Sequence, residues 1–193
     1  MRDDRLDSLL RVVKTEGIFL SFQNLTDSPE PVLGIHFCDQ DKQQPFIVLE
    51  RELKNDLPAY RCVLAELLGH HLASFEANIS YPYTSCWPRK HPADIAAMKW
   101  ATTFLIPTKK LDNAFANGIT AVSALAEHFG VTEWFMQYKL DIFKAERTER
   151  PVMAVGYSKQ MKYIRATTLA VDLGLVKLSV HVPTIEHIIH SLI

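Results

Sequence analysis

The sequence predicts an α+β fold: a small β-sheet packed on a long helix, a helical subdomain after it, and a C-terminal α/β extension. Three short runs of β-branched and aromatic residues crowd into residues 18–50, which places the strands together near the start. From about residue 56 to residue 143 the apolar positions recur at helical spacing, with Gly and Pro at the breaks. A chain of 193 residues, 48% hydrophobic and 22% charged, is also long enough for one hydrophobic core and an appendage.

Leu6, Leu9, Leu10 and Val13 share one helical face and place the first helix over residues 4–15, with Gly17 to end it. Strands are predicted at residues 18–22, 32–38 and 46–50, separated by Pro29, Pro31, Gly34 and the polar run DQDKQQ. Asn55 or Asp56 caps the next helix, with Pro58 in its first turn, and the helix continues to about residue 75. The three prolines of YPYTSCWPRKHP, residues 81–92, demand a loop or rim. A helix over residues 93–105 stops before Pro107, and TKKLDNAFANG adds a short one ending at Gly118. Residues 120–129 and 132–143 make two helices about a turn at Gly130, a helix-turn-helix-like pair. KAERTERP, residues 144–151, reads as a charged link, followed by a β-like VKLSVHV and an amphipathic TIEHIIHSLI; residues 159–173 suit helix or hairpin. The expected organisation is one domain over residues 1–145 and an extension over residues 146–193, to which the sequence assigns no role.

Composition narrows the function. A formal net charge of -1 and a pI near 6.7 lack the basic footprint of a polyphosphate binder, and the second helix of the pair, TEWFMQYKLDIF, is apolar and lacks Arg. Nucleic acid is therefore not the expected ligand, and the pair is expected to be a packing unit. Cys38, Cys62 and Cys86 show no Cys-x-x-Cys spacing, which points to reduced thiols in a cytoplasmic protein. No apolar run approaches the ~20 residues of a membrane span, and MRDDRLD lacks a signal core. Trp100, Phe104, Phe115, Phe129, Trp134 and Phe135 stand at helical spacings that suit a core. His181, His187 and His190 have only Glu186 for a carboxylate partner and do not read as a metal site.

The stretch RCVLAELLGHHLASF, residues 61–75, carries the chemistry. Helical residues four apart stack on one face and can grip one metal ion, which is why His-Glu-x-x-His holds catalytic zinc while its Glu polarises the bound water. Here that frame reads Glu66-Leu67-Leu68-Gly69-His70. Both ends keep a ligand-type side chain, and the general base is replaced by leucine. The same spacing also suits a plain helix-surface pair worth ~0.2–0.5 kcal/mol.

Together with MKWATTFLIP and LAEHFGVTEWFMQYKL, this helix resembles the ImmA/IrrE family of zincin-like metallo-endopeptidases, often encoded by phages and mobile elements; the likeness spans about residues 4–143. The resemblance implies a zincin-like fold. It also implies that Glu66 and His70 are the first two metal ligands, that Leu67 stands at the general-base position, and that Asp94, three residues before the Ala97-Met98-Lys99-Trp100-Ala101 segment, is the third ligand. Zn2+ is the cofactor so implied. Two carboxylates and one imidazole are a harder set than the family's own, so Mn2+ or Mg2+ would suit it more, and a metal-free protein stays open. Without a base at Leu67 hydrolysis by the family route loses ~10²–10⁴-fold in rate. His71, turned ~100° from His70 around the helix, and His91 and Tyr83 (with Tyr81) of the proline-rich loop are the other cleft candidates. The expected protein is a regulatory member of this family, acting on a helix-turn-helix repressor of a phage or mobile element with catalysis weakened or lost. The alternative is a non-catalytic pseudo-peptidase that binds a repressor, an antitoxin or another protein. The oligomeric state is not legible.

Overall fold

The computed structural model of the chain describes residues 4–25, 32–39, 44–73 and 92–148. Helix α1 (Asp4–Thr15) buries Leu9 and Val13, two of the residues that predicted it, and Gly17 takes a φ of 63° that lets the chain turn into the first strand. Strands β1 (Phe19–Gln23), β2 (Gly34–Asp39) and β3 (Gln44–Glu50) form one sheet in the order β1-β3-β2. β3 runs parallel to β1 and antiparallel to β2, with Phe46 paired to Phe19 on one side and Phe37 on the other. The central place of β3 explains why its residues from Pro45 to Glu50 are all buried, whereas β1 alternates little and stays half-exposed. β2 lies at the other edge. Side chains alternate along a strand, so Gly34, His36 and Cys38 share the face turned toward the helix that follows.

A short 3-10 turn, Arg51–Asn55, joins the sheet to that helix; it has no apolar periodicity, and the sequence did not signal it. The Glu50 carboxylate accepts from the Glu52 backbone N–H at 3.4 Å and from that of Leu25, tying the end of β3 to the chain leaving β1. Helix α2 (Leu57–Ala73) opens with Asp56, whose Oδ1 accepts from Ala59 N–H at 3.0 Å, as a capping aspartate should. Every residue from Cys62 to His70 is buried, because the sheet, α1 and the helices that follow enclose α2. A helix apolar around its circumference is a core helix.

Helix α3 (Pro92–Leu105) packs along α2, followed by α4 (Thr108–Ala116), α5 (Val122–Phe129) and α6 (Glu133–Thr148). Phe129 and Phe135 are buried as expected; Trp100, Phe104, Phe115 and Trp134 are half-buried against the same core. Gly130 ends α5 in the left-handed region at φ 59°. Arg61 of α2 donates to the Gly130 carbonyl, and Arg5 of α1 donates to the carbonyls of Phe129 and His128, the latter at 3.3 Å. Two guanidinium groups thus meet the carbonyl end of α5, where the helix dipole favours positive charge, and fasten the helix-turn-helix-like pair to α1 and α2. Arg61→Ala is expected to lower the unfolding free energy by about 2 kcal/mol, seen as an earlier urea midpoint with an unchanged slope.

One element corrects the sequence expectation. Residues 144–148, expected in a charged link, continue α6. Their charges are satisfied along the helix exterior: Glu146 pairs with Lys99 of α3 at 2.9 Å, Arg147 with Asp112 of α4 at 2.7 Å, and Arg147 also lies 4.1 Å from the centre of the Phe143 ring. A charge run that finds partners on neighbouring helices has no reason to unwind. The remainder of the predicted extension, from residue 149, lies outside the described residues, as does the proline-rich loop. No helix among the described residues is long and apolar enough to cross a membrane.

Candidate active-site helix and its neighbours

Successive residues of α2 point to different faces, and its singled-out residues meet different neighbours. Glu66 is fully buried, and His70, one turn later, is 4% exposed. Asp94 stands in the first turn of α3, and its Oδ1 lies 3.8 Å from His70 Nε2. What brings them together is Gly69. A Cβ at that position would sit 2.3 Å from the Ala97 carbonyl oxygen, so the missing side chain allows the α3 backbone to lie directly on α2. Asp94 precedes Ala97 by three residues, nearly one turn, and is carried to His70 by that contact.

Leu67 faces elsewhere. It is fully buried in the main hydrophobic cluster, and a Cβ on Gly34 of β2 would lie 2.8 Å from its Cδ1. The position next to Glu66 is therefore filled by apolar packing against the edge strand. A leucine there has no lone pair to receive a proton.

His71 turns away from the Glu66 and His70 face, as its offset around the helix predicts. Its Nδ1 is 3.2 Å from His36 Nε2 of β2, and its Nε2 is 3.6 Å from a carboxylate oxygen of Glu16, in the turn after α1. Cys62, one turn before Glu66, faces the α5–α6 turn: its sulfur accepts from Thr132 N–H at 3.4 Å and lies 3.6 Å from the Thr132 hydroxyl. Burial pushes the Cys62 thiol up to about 12, the two Thr132 contacts opposing the shift. Cys38 and Cys62 both stand outside any disulfide. His91, Tyr81 and Tyr83 lie outside the described residues.

Donors around one tetrahedral zinc stand ~3.3–3.5 Å apart, given metal–donor distances of ~2.0–2.2 Å. The His70–Asp94 separation of 3.8 Å is a small adjustment away from that. Among the described residues, however, no group of three His, Cys, Asp or Glu side chains is placed to hold a metal ion. The structure thus brings two of the three expected ligands, His70 and Asp94, into contact, with Glu66 buried one turn before them. The residues present fit a cation held at His70 and Asp94 but do not make up a complete zinc set.

Sequence inspection missed Glu16 and His36 and read Gly34 only as a break between strands, whereas it opens β2; all three lie far from the motif in the chain and meet α2 only in the folded protein. It also missed Lys139, nearly fully buried in α6, whose ammonium donates to the Thr108 hydroxyl at 3.4 Å. Desolvation lowers its pKa, opposed by Glu146 and reinforced by Lys99. A single Lys among apolar residues of a helix is a weak signal, because lysine usually brings its head group to solvent.

Comparison with known proteins gives one family: the model of the IrrE N-terminal-like domain, Peptidase_M78, matches residues 17–141. That span runs from the turn after α1 to α6 and includes every described residue of the metal-ligand motif. No curated protein matches the chain.

Proposed function

The chain belongs to the IrrE N-terminal-like family, Peptidase_M78, and from that premise we propose that it is a metallopeptidase-derived regulatory protein whose hydrolytic activity is weakened or lost and whose target is a helix-turn-helix repressor of a phage or mobile element. The family is typically zinc-dependent. One observation carries the proposal: Leu67, at the general-base position, is fully buried and packed against Gly34. Peptide hydrolysis needs a group that takes a proton from the attacking water, and a leucine sealed into the core leaves that step without its usual acceptor. Zinc, where bound, supplies a Lewis acid to this chemistry. Of the chain's own residues, His70 and Asp94 would hold the cation, Glu66 stands buried one turn before them, and Gly69 keeps α3 close enough for Asp94 to take part.

A second form of the proposal, a pseudo-peptidase that holds a repressor or antitoxin without cutting it, is favoured by the same leucine, which costs a binder nothing. The test is a mixture of the zinc-loaded full chain with a candidate repressor, followed by gel analysis and size-exclusion chromatography. The expected result is a stoichiometric complex with the repressor intact, or cleavage ~10²–10⁴-fold slower than by a correctly folded Leu67→Glu variant. Many turnovers per molecule of the native chain, unaccelerated in Leu67→Glu, would sink the proposal.

A further inference from the structure

The residue after the family's second ligand position takes part in a separate arrangement. Two steps along a strand advance ~6.6 Å and one turn of helix (four residues) advances ~6 Å, so a strand and a helix packed side by side keep pace. Gly34 meets Val63 and Leu67 of α2. One rung further, at His36 and His71, two imidazoles meet with their Nε2 and Nδ1 atoms 3.2 Å apart and their rings inclined at 68°. Glu16 lies on the far side of the His71 ring, 3.6 Å from Nε2. The turn that carries Glu16 is held by Gly17 at φ 63° and by Gln44, whose side-chain amide donates to the Gly17 carbonyl at 2.6 Å.

From this geometry we propose a second, transition-metal site in which His36 Nε2 and His71 Nδ1 bind one divalent cation. With the Glu16 carboxylate 3.6 Å from Nε2, the His71 tautomer that carries its proton on Nε2 leaves the Nδ1 lone pair directed at His36, the carboxylate–histidine–metal order found around many metal centres. Two nitrogens at ~2.0–2.1 Å from a tetrahedral ion stand ~3.3–3.4 Å apart, so a cation fits between the two lone pairs with a displacement of a few tenths of an ångström once the His36 proton sits on its Nδ1. Paired imidazoles select Zn2+, Ni2+, Cu2+ or Co2+ and discriminate against Mg2+ and Ca2+. Water completes the coordination, since no third such ligand is grouped with them among the described residues. The ion enters past His71, whose side chain is 20% exposed, because His36 is almost fully buried. The site is independent of the function proposed above and of the His70 and Asp94 pair.

The experiment is a calorimetric titration of the chelator-treated full chain with Ni2+, beside His70→Ala, His36→Ala and Glu16→Gln, each checked for folding by circular dichroism. One equivalent is expected to bind native protein and His70→Ala alike, to weaken at least ~10-fold in His36→Ala and ~10-fold in Glu16→Gln, and to resist competition by Mg2+. Binding kept in His36→Ala and lost in His70→Ala would assign the metal to the His70 and Asp94 pair and overturn the proposal, as would a native chain that binds no Ni2+. Should His36→Ala fail to fold, NMR of the native chain decides: substoichiometric Ni2+ is expected to broaden the His36 and His71 ring signals first, and broadening confined to other histidines overturns the assignment.

Discussion

Gly69→Ala is expected to destabilise the protein by about 3 kcal/mol or more, lowering the midpoint of thermal unfolding by roughly 6–12 °C for a chain of this size. A methyl group there would stand 2.3 Å from the Ala97 carbonyl oxygen, and the obstacle is backbone, which cannot rotate aside. The two helices must separate, and the contact between α2 and α3 is the most extensive between any two elements of the described fold. Gly118→Ala is the control. Gly118 takes a φ of 82°, and a Cβ added to it would meet nothing within 4 Å, so its substitution incurs only the left-handed backbone penalty of about 1–2 kcal/mol. Circular dichroism melts of the two variants separate the effects; equal shifts would show that α3 does not lie on Gly69. A subtler consequence falls on the site, because the same separation carries Asp94 away from His70.

The second large effect is alkaline. Cys62 titrates at about 12 in the folded protein against an ordinary thiol at 9.0, with burial as the main cause. An acid whose folded pKa is raised contributes stability in full below the unfolded value, and that contribution falls as pH climbs above 9.0, because the unfolded chain ionises first. Across the interval up to about 12 the loss reaches about 4 kcal/mol, at ~1.4 kcal/mol per pH unit. Urea midpoints of the native chain should fall steadily from pH 9 to pH 11, and Cys62→Ala should flatten that slope while lowering stability at pH 7. An identical slope in the variant would mean that the thiol is not the titrating group. Lys139 acts in the opposite direction. Its pKa is lowered by desolvation, so burying it as a cation is unfavourable at neutral pH, and the penalty is relieved as pH rises toward the unfolded value of 10.5. Lys139→Met should therefore raise stability at pH 7 and steepen the alkaline decline that Cys62 causes.

Elements with a local cause could be read from the sequence. Leu9 and Val13 with Gly17 marked out α1, Asp56 capped α2 as one of two candidates, and Pro107 marked the stop of α3. The α+β class and the helix pair followed from the same signals. Sheet order could not be read, because β-type residues do not say which strand is central; only the burial of nearly all of β3 reveals that. The continuation of α6 through residues 144–148 was set by Lys99 and Asp112, charges on other helices that no local pattern announces. At the site, spacing within α2 picked out Glu66 and His70, and the segment around Ala97 picked out Asp94, but the Gly69–Ala97 contact that joins them is a matter of backbone proximity. Glu16 and His36 were illegible for the same reason: they are 55 and 35 positions from His71 in the chain and meet it only once the sheet is built.

The strand order also bears on how the protein is made. β2 and β3 are joined by a short connection and pair as antiparallel neighbours, whereas β1 must wait for β3, its Phe19 meeting Phe46 across 27 positions of chain. A chain emerging from the ribosome therefore holds two unpaired strands until the central one appears, and the hairpin of β2 and β3 is the cheaper closure. α2 follows within a few residues of β3 and covers the helix-facing side of the new hairpin almost as soon as it forms. Synthesis delivers the sheet and its apolar cover together, which shortens the interval in which Ile47 and Leu49, on the helix-facing side, could recruit another nascent chain.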